Sequence, residues 1–216
     1  MKKYLAFLVL FLCIFDSNAF ASKEKMKTYF NSKGFITQLY ELGIYWDRKV
    51  LSLQQDCTGK YSVFPLSMGF VEPMEFNSDS IYPTQGVWTT RFKFDRCNES
   101  IVYNAIFMAQ KGKKPKIGLL VPGNTRTSPQ LMRDLYSQGV ILVTEIKRKN
   151  KECKEIRVLN TEVTKEPFSL KSDGKTFHGA WEEQWTVKNC DEIIEMTFCF
   201  IPTDDGGTNW SSGKCK

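Results

Sequence analysis

A stretch that occurs twice constrains this chain more than any other feature. Gly86-Val-Trp88-Thr-Thr-Arg-Phe92-Lys-Phe94-Asp-Arg-Cys97 returns as Gly179-Ala-Trp181-Glu-Glu-Gln-Trp185-Thr-Val187-Lys-Asn-Cys190, and 179 − 86, 181 − 88 and 190 − 97 all equal 93. The echo runs on past the cysteine without a gap, Glu99, Ile101 and Phe107 meeting Glu192, Ile194 and Phe200. Trp88, Thr90, Phe92 and Phe94 alternate with Thr89, Arg91 and Lys93, and Ile101, Tyr103, Ala105 and Phe107 alternate in the same way. A period of two is the mark of a strand with one buried face. Each copy therefore reads as a β-hairpin, the first turning over Asp95 to Ser100, with a cysteine in its loop. A chain that carries such a unit twice is expected to be built from two related halves.

The cysteines follow the same logic. Lys2 and Lys3, the apolar run Tyr4 to Phe15 and the small-x-small triplet Ala19-Phe20-Ala21 have the form of a secretory signal, with Ser22 as the mature start. That run is too short to span a bilayer, and no later run is long and apolar enough to do so. Beyond the signal six cysteines remain: Cys57, Cys97, Cys153, Cys190, Cys199 and Cys215. An even number in an exported chain implies disulfides. Cys57 precedes Cys97 by 40 residues and Cys153 precedes Cys190 by 37, so equivalent halves should form Cys57–Cys97 and Cys153–Cys190. That leaves Cys199 for Cys215. Loops of this size contribute roughly 3–4 kcal/mol each in the chain-entropy model.

Between these fixed points the chain alternates helix and strand signals. Residues 22–33 read as a loose, lysine-rich arm or a frayed helix. An apolar stripe at helical spacing predicts a helix from Phe35 to Trp46. Tyr61–Phe64 and Met68–Val71 read as short strands interrupted by Pro65 and Pro73. Ser128-Pro129 opens a second helix, with Gly139 as its C-cap. Val140 to Ile146 is β-branched and apolar and reads as a strand, as does Ile156 to Val163. The expected architecture is α+β and mostly antiparallel β. A signal peptide over 1–21 precedes two similar halves, 22–118 and 119–216, which form one compact domain, their sheets packed or joined about a pseudo-twofold axis.

Candidate chemistry is sparse. His178 is the only histidine, and the cysteines are committed to disulfides, so His–Cys metal sites, a Cys–His pair and a serine triad are disfavoured. No cofactor motif is present. Glu182 and Glu183 adjoin Trp181 and Trp185, but neighbours on a strand point to opposite faces and cannot form one acid–base pair. Glu183 shares the Trp face and, if buried, needs a cationic or hydrogen-bonding partner; Glu182 should face outward. Pro122-Gly-Asn-Thr-Arg126-Thr127-Ser128-Pro129 places Arg126, two hydroxyls and free backbone N–H groups at a helix N-terminus, a candidate anion site. The candidate ligand-binding residues are thus Arg126, Thr127, Ser128, Glu183 and His178, with no catalytic residue and no metal ligand assigned.

Removing residues 1–21 takes two lysines and one aspartate from the 30 basic and 24 acidic residues, leaving 28 against 23, a formal +5. That balance permits attraction to an anionic surface without requiring it. The lysine clusters Lys111–Lys116 and Lys147–Lys154 have no interleaved aromatics, which argues against nucleic acid.

The pattern Trp181-Glu-Glu-x-Trp185, Cys190, Phe200-x-Pro202 and Gly206-Gly-Thr208, preceded by Pro122-Gly-Asn-Thr and Ser128-Pro-x-Leu-x-x-Asp134, resembles a family of uncharacterised exported proteobacterial proteins. The resemblance implies bacterial export and a β-rich disulfide frame, and no activity. The expectation is a periplasmic or secreted protein that binds an envelope component or another protein. The alternative is a small secreted hydrolase or effector with a carboxylate site near Trp181 and Trp185.

Overall fold

The alternating segments form two four-stranded antiparallel sheets, one from each half. The computed structural model describes residues 23–53, 57–77, 79–97, 99–172 and 174–216, and the expected signal peptide over 1–21 lies outside them. Sheet one runs β1 (Tyr61–Glu75), β2 (Gln85–Arg96), β3 (Glu99–Gln110) and β4 (Lys113–Leu120), neighbours in sequence being neighbours in the sheet. Sheet two repeats the order with β5 (Arg157–Ser172), β6 (Lys175–Asn189), β7 (Glu192–Pro202) and β8 (Thr208–Ser212). The expected α+β class and the two similar halves are therefore observed.

The echo in sequence is an echo in space. Trp88 lies opposite Phe107 and Trp181 opposite Phe200, and each pair stacks, with ring centroids 5.4 and 4.8 Å apart. The hairpin turns are tighter than six residues: Arg96 pairs with Glu99, and Asn189 with Glu192. Such two-residue turns demand positive φ, and Cys97 and Cys190 supply it at 45° and 49°. The disulfides are Cys57–Cys97, Cys153–Cys190 and Cys199–Cys215, as the repeat required.

A helical layer covers one face of each sheet. α1 (Lys33–Tyr45) runs into a π-helical turn, Trp46–Val50. α2 (Pro129–Leu135) runs into another, Tyr136–Val140, and then into α3 (Ile141–Lys147). Ser32 and Ser128 cap the two helices, accepting from the backbone N–H of Phe35 and Leu131. Counted from these caps the helices match as well: 128 − 32, 135 − 39, 136 − 40 and 139 − 43 all equal 96, pairing Ser with Ser, Leu with Leu, Tyr with Tyr and Gly with Gly. The glycines let the helices approach closely. A Cβ on Gly43 would stand 2.5 Å from the Phe94 ring, and one on Gly139 would stand 2.8 Å from Leu135 and 3.0 Å from Trp210. Each half has its own core. α1 packs Phe35 and Leu39 onto Trp88, Phe92, Phe94 and Phe107, while Leu135, Val140 and Val143 pack onto Trp185, Val187 and Phe198.

Three sequence expectations are corrected. Val140–Ile146 is helical, not a strand, and Gly139 lies inside the helical run, not at its end. Packing decides the matter: the π turn keeps Val140 and Val143 on the face that Leu135 begins, and this overrides the β preference of the branched residues. β1 is one strand through Pro65, because it lies at the sheet edge, where a missing N–H is tolerated. Of the two alternatives open for the lysine-rich segment, the helix is the one observed, over residues 23–30, with Tyr29 and Phe30 buried against Trp88.

Candidate functional site

The segment after β4 joins the halves, and its residues were singled out for their helix-opening pattern. It crosses sheet one on the face opposite α1. Asn104 on β3 donates its Nδ2 to the carbonyls of Val121 (2.8 Å) and Gly123 (2.9 Å). Arg91 on β2 donates to the Asn104 side-chain oxygen (3.2 Å) and, 2.6 Å away, to the Thr125 carbonyl. At the same point the segment touches β5: Asn124 N–H donates to Thr161 O at 2.7 Å, and Thr161 Oγ1 donates to Pro122 O at 2.7 Å. Only glycine fits at position 123. Its φ is 96°, and a Cβ there would lie 2.2 Å from the Thr161 carbonyl oxygen.

On its other side the segment meets Glu183, fully buried on the helix-bearing face of sheet two. Trp181, Glu183 and Trp185 alternate on one face of β6, so both indole N–H groups reach the carboxylate between them. Oε1 accepts from Trp181 Nε1 (2.9 Å) and from the backbone N–H of Arg126 (2.8 Å). Oε2 accepts from Trp185 Nε1 (2.9 Å) and from Thr125 Oγ1 (2.8 Å). Four donors saturate an ionised carboxyl, which offers about four lone-pair positions. This is the partner set that a buried Glu183 required. The Arg91 guanidinium, on the far side of Thr125, completes the arrangement: burial pushes it below its ordinary value and the Glu183 charge pulls it back.

The linker therefore lies between the back of sheet one and the helix side of sheet two. The back of sheet two is covered by the C-terminal tail. Gly213 N–H donates to Thr197 O, Cys215 N–H donates to Glu182 Oε1 at 3.1 Å, and Cys215 bonds Cys199. Glu182 does face away from the Trp side, but the tail buries it, leaving 7 % of it exposed.

The other candidate residues do not converge. The backbone N–H groups proposed for an anion are already used: Arg126 N–H by Glu183, and Thr127 N–H by Thr125 Oγ1 at 3.0 Å. Ser128 Oγ caps α2, and the Arg126 guanidinium reaches out to Glu166 at 3.1 Å. His178 is exposed, its Nδ1 3.0 Å from Ser169 Oγ. It lies five residues from Glu183 along β6, about 16 Å at strand spacing.

Sequence reasoning missed the space these contacts hold open. At the seam, between the π turn after α1 and the one after α2, lies a cavity of about 420 Å³. Trp46, Leu119 and Val121 line it from one side, and Met132, Tyr136 and Ile156 from the other. Its walls come from four chain segments, so no local pattern announces it. Its size falls in the range of small-molecule sites, roughly 300–1,000 Å³, and junctions between structural units are a preferred location for them. Among the described residues no helix is long and apolar enough to cross a membrane. No protein-family model, curated protein or solved structure matches the chain.

Proposed function

We propose that this is an exported bacterial protein, periplasmic or secreted, that acts by binding, and that it holds a small apolar molecule, such as an envelope component, in the seam cavity. The observation that carries the reading is the cavity itself: apolar on both walls, and kept open by a linker pinned between two sheets. Export is supported by the signal-like N-terminus, the resemblance to exported proteobacterial proteins, and three disulfides of the kind that persist in oxidising compartments. The carboxylate-hydrolase reading is weaker, because both Glu183 oxygens are occupied by internal donors.

Protein recovered from an exporting host should begin at Ser22 and should bind one equivalent of 1-aminoanthracene, a small neutral apolar probe, with saturable quenching of tryptophan fluorescence. Met132→Trp fills the cavity from the α2 side and should abolish saturation while leaving the far-ultraviolet circular dichroism unchanged. Non-saturable titration of the wild type, identical to that of the filled variant, would refute the reading.

A further inference from the structure

The first strands of the two sheets, β1 and β5, stand at equivalent edges and have opposite character. β5 carries Glu162, Lys165, Glu166 and Lys171, all exposed, the usual means of keeping an edge strand from pairing with another chain. β1 has no charged residue from Tyr61 to Val71. Along it Phe64, Leu66, Met68, Phe70 and Val71 are each between 42 % and 56 % exposed. A run of apolar side chains on an unguarded edge marks a contact surface.

Charge returns only at the ends of this run. Lys60 precedes it and Glu72 and Glu75 follow it, all exposed, and none is ion-paired among the described residues. The strand is thus complementary to its own reversal. An antiparallel second copy centred on Leu66 sets Lys60 against the second copy's Glu72, since 60 + 72 = 66 + 66, and twofold symmetry repeats the pair at the other end. The bulge between Pro65 and Ser67 turns Phe64 to the back of the sheet, beside Lys93, and Met68 and Phe70 to the helix side, opposite Thr90 and Trp88, so the uncharged run offers apolar side chains on both faces of the edge. A partner of unrelated sequence gives no reason for a positive start, an uncharged middle and a negative end.

We infer that β1 is a self-association edge through which two copies of this chain pair antiparallel. Pro65 has no N–H to donate, and β1 bulges against β2 between Pro65 and Ser67. The side chains from Phe64 to Phe70, with the Lys60–Glu72 pairs at both ends, therefore hold the contact more than a full backbone ladder does. The inference is independent of the seam cavity.

Sedimentation velocity of the oxidised protein over a concentration series tests it. The wild type should shift from monomer to dimer, and Leu66→Lys should remain monomeric throughout. Leu66 is half exposed in the monomer, so this variant should fold as the wild type does. Lys60→Glu alone and Glu72→Lys alone should each weaken dimerisation about tenfold, because each places like charges together twice per dimer. The double variant, Lys60→Glu with Glu72→Lys, should restore it, as only a self-complementary antiparallel contact can. A wild type that stays monomeric at every concentration overturns the proposal. So does a dimer that the double variant weakens further, since that outcome assigns the edge to a different partner or a different register.

Discussion

The entrances to the two helical layers occupy the same place and are held in opposite ways. Tyr29 stands three residues before the cap Ser32, and Thr125 three before the cap Ser128. In the first half this position is aromatic: Tyr29 meets Trp88 edge-on, with centroids 5.9 Å apart. In the second it is polar: Thr125 donates to Glu183, which also gathers Trp181 and Trp185. The residue equivalent to Glu183 is Thr90 (183 − 93), whose hydroxyl is buried without a partner, as is the indole N–H of Trp88. One backbone arrangement thus tolerates either an apolar plug or a saturated carboxylate. The carboxylate stands where the chain must be pinned between two sheets, and a directional contact fixes position where apolar packing alone does not.

Breaking that asymmetry should give the largest effect. Glu183→Ala leaves four buried donors without an acceptor and should cost about 3–5 kcal/mol, the range for removing one partner of a buried charged network. Thr90→Val, at the equivalent position, should cost nothing or stabilise slightly, because that hydroxyl makes no bond. Urea unfolding with the disulfides intact measures both. Equal losses at 90 and 183 would mean that the two halves are held alike.

The next effect concerns the backs of the sheets. The linker covers sheet one and a disulfide-tied tail covers sheet two. Closing a loop over the 16 residues from Cys199 to Cys215 is worth about 3 kcal/mol in the chain-entropy model, so Cys199→Ser with Cys215→Ser should lose about that much. The comparison predicts where the loss falls. Faster hydrogen exchange should be confined to β6, β7 and β8, with β1 to β4 unchanged. Faster exchange spread evenly over both sheets would show that the tail acts on the whole molecule.

These contrasts were unevenly legible in the sequence. The hairpins were readable because a period of two and a constant offset of 93 leave little choice, and the disulfides followed from the single upstream cysteine that precedes each hairpin cysteine, by 40 and 37 residues. The helices hid their kinship because their offset is 96, three residues longer, and because the Val140–Ile146 run prefers strand until a neighbouring sheet claims one of its faces. Trp181-x-Glu183-x-Trp185 showed which face the carboxylate shares, but its other donors, Thr125 and Arg126, lie 58 and 57 residues away. Arg91 and Asn104 looked like ordinary outward residues of a half-buried strand. Only the path of the linker turns them inward, and a path set by tertiary packing leaves no local period.

The smallest effect at neutral pH separates the halves by their aromatic hydroxyls. Burial, and then neighbouring Tyr82, push the Tyr29 phenol well above its ordinary value of 10.0, and the hydroxyl has no hydrogen-bond partner. Replacing it by Tyr29→Phe removes an unsatisfied buried group and should stabilise the protein by less than about 1 kcal/mol at pH 7. The gain should grow with alkalinity. Above pH 10 the unfolded chain releases this proton while the folded chain keeps it, so the folded state binds more protons and stability falls as pH rises. Each such group contributes up to about 1.4 kcal/mol per pH unit. Denaturant midpoints between pH 8 and 11 should therefore separate progressively between the wild type and Tyr29→Phe. Tyr103 keeps a part of the fall in both proteins, since burial and its bond to Asp47 also raise it. In the second half the corresponding positions hold Thr125 and Met196, and Tyr136 is raised there by burial alone. The first half should accordingly be the first to open in alkali, and a separation that stays constant from pH 8 to 11 would remove the Tyr29 phenol from that account.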